Sequence, residues 1–295
     1  MASESTDHEV EAALTSERQF VLTLGGFALE VAGASLVTHE KLPVPRFNFV
    51  QELGVGRERQ TAFFEHALDH YFQRALRPTF RVPLPVPPHV DAGLRHFGFR
   101  PTAVPLVLML SEGQLPNRVG TEAQVRVADR RDLDLVTSFW TSERERPEFR
   151  TALDIAWSHP NPNEQLVPLL ATLDGAPVSA ALVYRYRAAV GVHAVATRPS
   201  ARGRGAASAL VTFALGRAVA GPATVYSILA DSTRLVRHLE ALGFRAGRSF
   251  AEYELPASAE LSFPSPGPLS GPRWRPPRSR TSGESGAGAP TSLRA

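Results

Sequence analysis

The 295-residue chain contains no cysteine, which removes disulfide scaffolds, thiolate metal centres and cysteine nucleophiles from consideration. Lysine is nearly absent as well: of 32 basic residues only Lys41 is a lysine, and the rest are arginine. Long apolar runs are missing. The longest, Ala103–Leu110, contains Pro105 and is far short of the ~18 apolar residues a membrane-spanning helix needs. The opening MASESTDHEVEAALTSE is acidic and lacks the apolar centre of a signal peptide. The nine histidines show no ligand-like spacing such as HExxH, so no metal site is expected. Together these absences describe a cytoplasmic chain with no membrane partner.

Charge excludes a further class. The formal net charge is +3, and residues 256–295 hold five arginines against Glu260 and Glu284, so this tail accounts for all of it. The remainder is neutral, which argues against a basic nucleic-acid-binding face. The same forty residues carry eight prolines and eight serines, too little apolar surface to offset the entropy of ordering. Residues 257–295 are expected to be a disordered spacer, and the polar residues 1–16 a disordered N-terminus.

Between these ends the composition predicts two blocks, residues 17–112 and 123–256, joined by the polar, Pro- and Gly-broken SEGQLPNRVGTE at 111–122. In the second block strands are expected at Ala123–Val127, Gln165–Asp174, Val178–Arg187, Gly191–Thr197, Thr224–Leu229 and Phe250–Leu255. Helical periodicity marks Asp129–Trp140, Gly205–Ala220 and the stretch after Asp231 or Ser232, which Gly243 terminates. That order describes an α/β (α+β) domain with a mixed, largely antiparallel sheet flanked by helices. The first block holds a long helix candidate, Gln60–Ala75, and short strands at Phe20–Leu24, Ala28–Val31 and Ala34–Thr38. Leu94–Arg100 (LRHFGFR) resembles Leu239–Arg245 (LEALGFR), 145 residues later, and each follows one strand-like run and precedes another. The matching order favours two similar lobes.

The chemistry concentrates in Thr197–Ser208, TRPSARGRGAAS, where a strand ends, Pro199 forces a turn and glycines open a helix. Gly203 and Gly205 allow a ligand to approach the backbone, and the first N–H groups of the helix point outward at the positive end of its dipole. A diphosphate suits such a cradle, with Arg202 and Arg204 adding charge. The plain alternative is a tight turn rich in arginine because the whole chain is.

The segment resembles motif A of the GCN5-related N-acetyltransferase superfamily, (Arg/Gln)-x-x-Gly-x-(Gly/Ala), with Arg202, Gly205 and Ala207 at its three positions. The following VYSILA and STRLVRHLEALGF resemble the second half of the same domain. The resemblance covers about Gln124–Leu255, and block one looks like a degenerate second copy that keeps the Gly-Phe ending without the motif. It implies the acyl-CoA N-acyltransferase fold and direct transfer of an acetyl group from acetyl-CoA to a small-molecule or peptide amine. Backbone groups of Val195, Ala196 and Thr197 would pair with the pantetheine, and Arg202, Gly203, Arg204, Gly205, Ala206 and Ala207 would hold the pyrophosphate. Where the family often has Tyr as acid this chain has Leu239, and where it often has Asn it has Ser232, which is expected either to bond the pantetheine or to cap a helix. Strand alternation places His193 on the face of Val195 and Thr197, toward the cofactor, as candidate base; the alternative is a core histidine. Trp140, Trp157 and His159 lie where an acceptor pocket is expected. Pro43–Phe49 would line it from the first block or pack the interface. The missing Tyr keeps a second function in view, a non-catalytic acyl-CoA-binding regulatory module.

Overall fold

The amino-terminal helix α1 (Ala2–Thr23) carries Val10, Ala13, Leu14, Phe20 and Val21 at helical spacing, and these five and Leu24 just beyond them are buried. That apolar stripe overrides both expectations for this region, a disordered stretch over 1–16 and a strand over 20–24. In the computed structural model residues 2–112, 121–141, 146–158, 164–217 and 225–256 are described. The tail at 257–295, most of the connecting segment and His159 lie outside them.

After α1 come β1 (Phe27–Val31), β2 (Ala34–Thr38), β3 (Phe49–Gln51), helix α2 (Gln60–Phe72), β4 (Thr79–Pro83), α3 (Pro88–His96), β5 (Arg100–Pro101) and β6 (Leu106–Ser111). The second half supplies β7 (Gln124–Val127), α4 (Leu133–Thr137), α5 (Arg146–Ser158), β8 (Glu164–Leu173), β9 (Ala176–Tyr186), β10 (Ala189–Thr197), α6 (Ala206–Arg217), β11 (Val225–Ala230), α7 (Thr233–Ala241) and β12 (Arg245–Glu254). The Asp174-Gly175 turn closes the β8–β9 hairpin with both residues at positive φ, the geometry that a two-residue turn demands.

All strands join one mixed sheet in the order β1-β2-β3-β4-β12-β6-β11-β10-β9-β8-β7, with β5 beside β12. Among the described residues only β3/β4 and β10/β11 run parallel. The halves are interleaved: β6, which ends the first, pairs with β11 of the second, and β12, which ends the second, pairs with β4 of the first. The repeated L-x-x-x-G-F sequences build the same helix end. Phe99 N–H donates to Leu94 O and Phe244 N–H to Leu239 O, each at 3.0 Å, around Gly98 and Gly243 at φ +87°. Met1–Ser258 is one compact unit.

Alternation along β8 and β9 sorts the two faces in the second half. Val167, Leu169, Ala181 and Val183 pack with Leu210 and Ala214 of α6 and Leu239 of α7. Leu166, Leu170, Ala180, Leu182 and Tyr184 pack on the other face with Phe20 and Val21 of α1, Leu133 of α4 and Phe149 of α5. The site therefore lies in a sheet with helices on both sides.

Candidate active site

The strands β10 and β11 pair through Ala189↔Val225, Val190↔Tyr226 and Gly191↔Ser227, and then part. A cleft of about 1740 Å³ opens where they separate. Its walls are Val195, Ala196 and Thr197 at the end of β10, the turn 198–205, the first residues of α6, and Ser232, Arg234, Leu235, Arg237 and His238 of α7. Thr121, Glu122, Ser138 and Phe139 complete the rim.

The turn is built for close approach. Gly203 (φ +81°) and Gly205 (φ +80°) both occupy the left-handed region that favours glycine. A side chain at Gly205 would also meet Thr121 Oγ1 at 2.9 Å, whereas one at Gly203 would point into open space. Ala209 N–H is the first to bond back along α6, to Gly205 O at 2.9 Å, so the preceding N–H groups face the cleft without helical acceptors. Arg202 is exposed on this wall, while Arg204 leans away to Asp174 (3.1 Å) and Glu122 (3.7 Å). Of the two arginines of the motif, Arg202 is the one left to meet an anion.

Ser232 is the N-cap of α7, its hydroxyl accepting the Leu235 N–H at 3.3 Å, and it lines the cleft at the same time. Leu239 is 1% exposed within the core, so the position where a tyrosine acid was sought does not reach the cleft. Other residues supply the polar groups instead: Ser208, Arg234 and Arg237, which sequence reasoning passed over, and His238, which it expected to be exposed and which is half-buried. Ser208 Oγ and His238 Nε2 are 3.0 Å apart across the α6–α7 junction, and Arg234 and Arg237 border the same wall. Their signal was spacing: positions 234, 237 and 238 share one helical face beside that of Leu235, Leu239 and Leu242.

His193 lies elsewhere than expected. A bulge between His193 and Ala196 opposite β9, with Ala194 at φ +50°, breaks the alternation. His193 and Ala194 both face α1, so His193 is not in the cofactor-side wall with Val195 and Thr197. Its ring stacks on Phe20 with centroids 4.2 Å apart, and Nδ1 lies 3.1 Å from Glu17 Oε2. Burial alone would raise the pKa of Glu17, but His193, Arg81 and Arg46 outweigh it and lower it to about 2. Trp140 packs edge-on to Phe149, and Trp157 packs against the same core. Phe47 sits between Phe20 and Phe149, so the Pro43–Phe49 stretch joins that core rather than the cleft.

Residues 133–247 match the sequence profile of the Acetyltransferase (GNAT) family. This region is similar to a GNAT-family domain. Among solved structures, a GCN5-related N-acetyltransferase from Kribbella flavida shares the fold, with a TM-score of 0.57 at 16% identity over 83% of this chain and 95% of that one. A functionally unknown conserved protein from Staphylococcus epidermidis superposes with a TM-score of 0.61 at 11% identity, covering 79% and 94% of the two chains. A GCN5-related N-acetyltransferase from Sphaerobacter thermophilus gives 0.52 at 16% identity, covering 76% and 77%. No curated protein matches the sequence. The matched region contains the parting strands and the glycine turn that frame the cleft. No helix among the described residues is long and apolar enough to cross a membrane.

Proposed function

We propose that the chain is an N-acetyltransferase that moves an acetyl group from acetyl-CoA directly to an amine. The observation that carries this is the coincidence of parted parallel strands with a positive-φ glycine turn on one cleft. The residues fit the cosubstrate. The free backbone groups of β10 beyond Gly191 suit the pantetheine amides, and the α6 N-terminus suits a pyrophosphate. Val195, Ala196 and Thr197 would hold the arm, and Gly203, Gly205, Ala206 and Ala207 the phosphates, with Arg202 as counter-charge. Arg234 and Arg237 stand on the α7 wall, ready for a further phosphate.

Acetyl-CoA would supply an activated thioester, and the protein's task is then to orient an amine and manage its proton. The α6 face carries no acid at Leu239, so thiolate protonation comes from water or another side chain, or goes uncatalysed. His193, on the opposite face, lies over Gly191 at the parting of the strands. In this scheme the first block is a second copy of the fold without the motif.

Incubating the protein with acetyl-CoA and a panel of amines, and reading free CoA with a thiol reagent, tests the proposal. The chain has no cysteine of its own, so the reagent reports CoA alone. Amine-dependent release above the hydrolysis background is expected. Saturable acetyl-CoA binding without release for any amine would instead support the non-catalytic acyl-CoA-binding module.

A further inference from the structure

The cleft holds one polar pair that the glycine turn does not account for. Ser208 Oγ of α6 and His238 Nε2 of α7 lie 3.0 Å apart, and both residues line the cavity. Ser208 is 4% exposed and His238 is half-buried. Leu210 and Leu239 already place the two helices in one apolar core, so packing does not require a polar bridge between them. Ser208 is the third residue of α6, and its hydroxyl stands in the first turn, among the N–H groups that face the cleft. Among the described residues the His238 ring makes no other hydrogen bond and no ion pair.

The bond between hydroxyl and imidazole can run in either direction, and an anion decides which. With Nε2 bare, the hydroxyl donates to the ring and turns its lone pairs toward the cleft, which suits no anion. With Nε2 protonated, the ring donates to Oγ, and the hydroxyl proton is free for an anion's oxygen. An imidazolium carries both ring protons and meets this demand while adding a charge. A neutral ring meets it with its single proton and adds none.

The charges around the ring are mostly positive. On α7 Arg234 lies one turn before His238 and Arg237 beside it, both on the cleft wall, while Asp231 and Glu240 are exposed. Across the cleft the turn brings Arg202, with Arg198 stacked 5.3 Å over Phe139 and Arg204 held by Asp174 and Glu122. Helix α6 carries no charge from Ala206 to Gly216. Beneath both helices the sheet offers Tyr226, whose hydroxyl burial holds above its usual range and therefore neutral. A further positive charge on this wall is favourable once an anion fills the cleft.

We propose that His238 is a proton-coupled ligand of the cosubstrate: its ring takes up a proton as the diphosphate of acetyl-CoA enters the turn, and Ser208 passes the resulting hydrogen bond on to the anion. This rests on the acetyl-CoA function proposed above. The bound form holds more protons than the free form, so affinity is greatest at low pH and falls as pH rises through the range where imidazoles lose their charge. The diphosphate is common to acetyl-CoA and CoA, so the grip on cosubstrate and on product loosens together.

Calorimetric titration of the full chain with no acceptor present tests this, between about pH 6 and about pH 8.5 and in buffers of different ionisation enthalpy. The 3′-phosphate of acetyl-CoA itself titrates near pH ~6, so acetyl-dephospho-CoA, which keeps the diphosphate alone, is measured beside it. Wild type should bind both about tenfold more tightly at the acid end, with part of a proton taken up on binding near neutrality. His238→Gln, whose amide can still bond Ser208, should bind acetyl-dephospho-CoA with no proton uptake and with one weaker affinity across the range. Ser208→Ala should lose most affinity at the acid end, where the hydroxyl donates to the anion. Unfolding midpoints confirm that both variants fold. A pH-independent affinity of wild type for acetyl-dephospho-CoA, or unaltered uptake in His238→Gln, would overturn this proposal and leave acetyl-CoA binding standing. No binding of acetyl-CoA at any pH would overturn both.

Discussion

Two pairs of parallel strands interrupt an otherwise antiparallel sheet, β3/β4 and β10/β11, and they differ in what lies beyond the last bonded residues. Each pair is bridged by a turn and a helix. In the first, ELGVGRER leads into α2, whose first turns carry Gln60, Phe63 and Phe64, all buried. Val55 and Tyr71 fill the same core, and the Tyr71 hydroxyl donates toward the carbonyls of Val37 and Phe49. In the second, RPSARGRG leads into α6, which begins Ala206-Ala207-Ser208. Small side chains and two positive-φ glycines leave the second gap open as a cleft, where aromatic rings close the first. One topology yields a core or a binding site according to a handful of residues after the strand.

The largest expected effect comes from closing the open gap. Gly205→Glu sets a carboxylate and a Cβ where the turn has room for neither, so acetyl-CoA titration should show binding abolished, with the unfolding midpoint only slightly lower. Opening the closed gap should act on stability instead. Phe64→Ala, at a fully buried ring, should cost about 3–5 kcal/mol in denaturant unfolding while the folded fraction keeps its acetyl-CoA affinity.

Glu17 offers a finer test, because it belongs to the first half and serves the second. Its pKa is lowered to about 2 in the folded protein from an ordinary 4.5. A depressed carboxylate contributes stability that is fully present above 4.5 and is lost as pH falls through about 2. Glu17→Gln should therefore be destabilised by roughly 3 kcal/mol at neutral pH, and unfolding curves should show the gap to wild type narrowing from pH 4.5 down toward 2. The smallest effect is none: removing residues 258–295 should leave acetyl-CoA affinity unchanged, and a large loss would give the arginine tail a binding role.

Much of this was legible in the sequence because it is local. The glycine turn, the α6 start, the β8–β9 hairpin and the paired L-x-x-x-G-F helix ends each depend on a few neighbouring residues with definite backbone demands. What escaped depends on longer range. The α1 stripe spreads over fifteen residues with polar ones between, so Phe20–Leu24 read as an apolar strand when taken alone. The facing of His193 turned on a bulge at Ala194, a residue with no intrinsic taste for positive φ, and alternation cannot foresee that. Glu17 left a trace only in hindsight: a lone charge on a helical stripe that is otherwise apolar apart from Ser16. Its partner Arg81 comes from β4, and Glu252, which Arg81 also meets, from β12, neighbours only because the halves interleave their last strands.

The central claim is that only the β10/β11 gap receives the cosubstrate, and the stoichiometry of acetyl-CoA binding measures it directly. Calorimetric titration into the full chain should give one site per chain, lost entirely in Gly205→Glu. Two sites per chain, or one site that survives Gly205→Glu unchanged, would contradict the account.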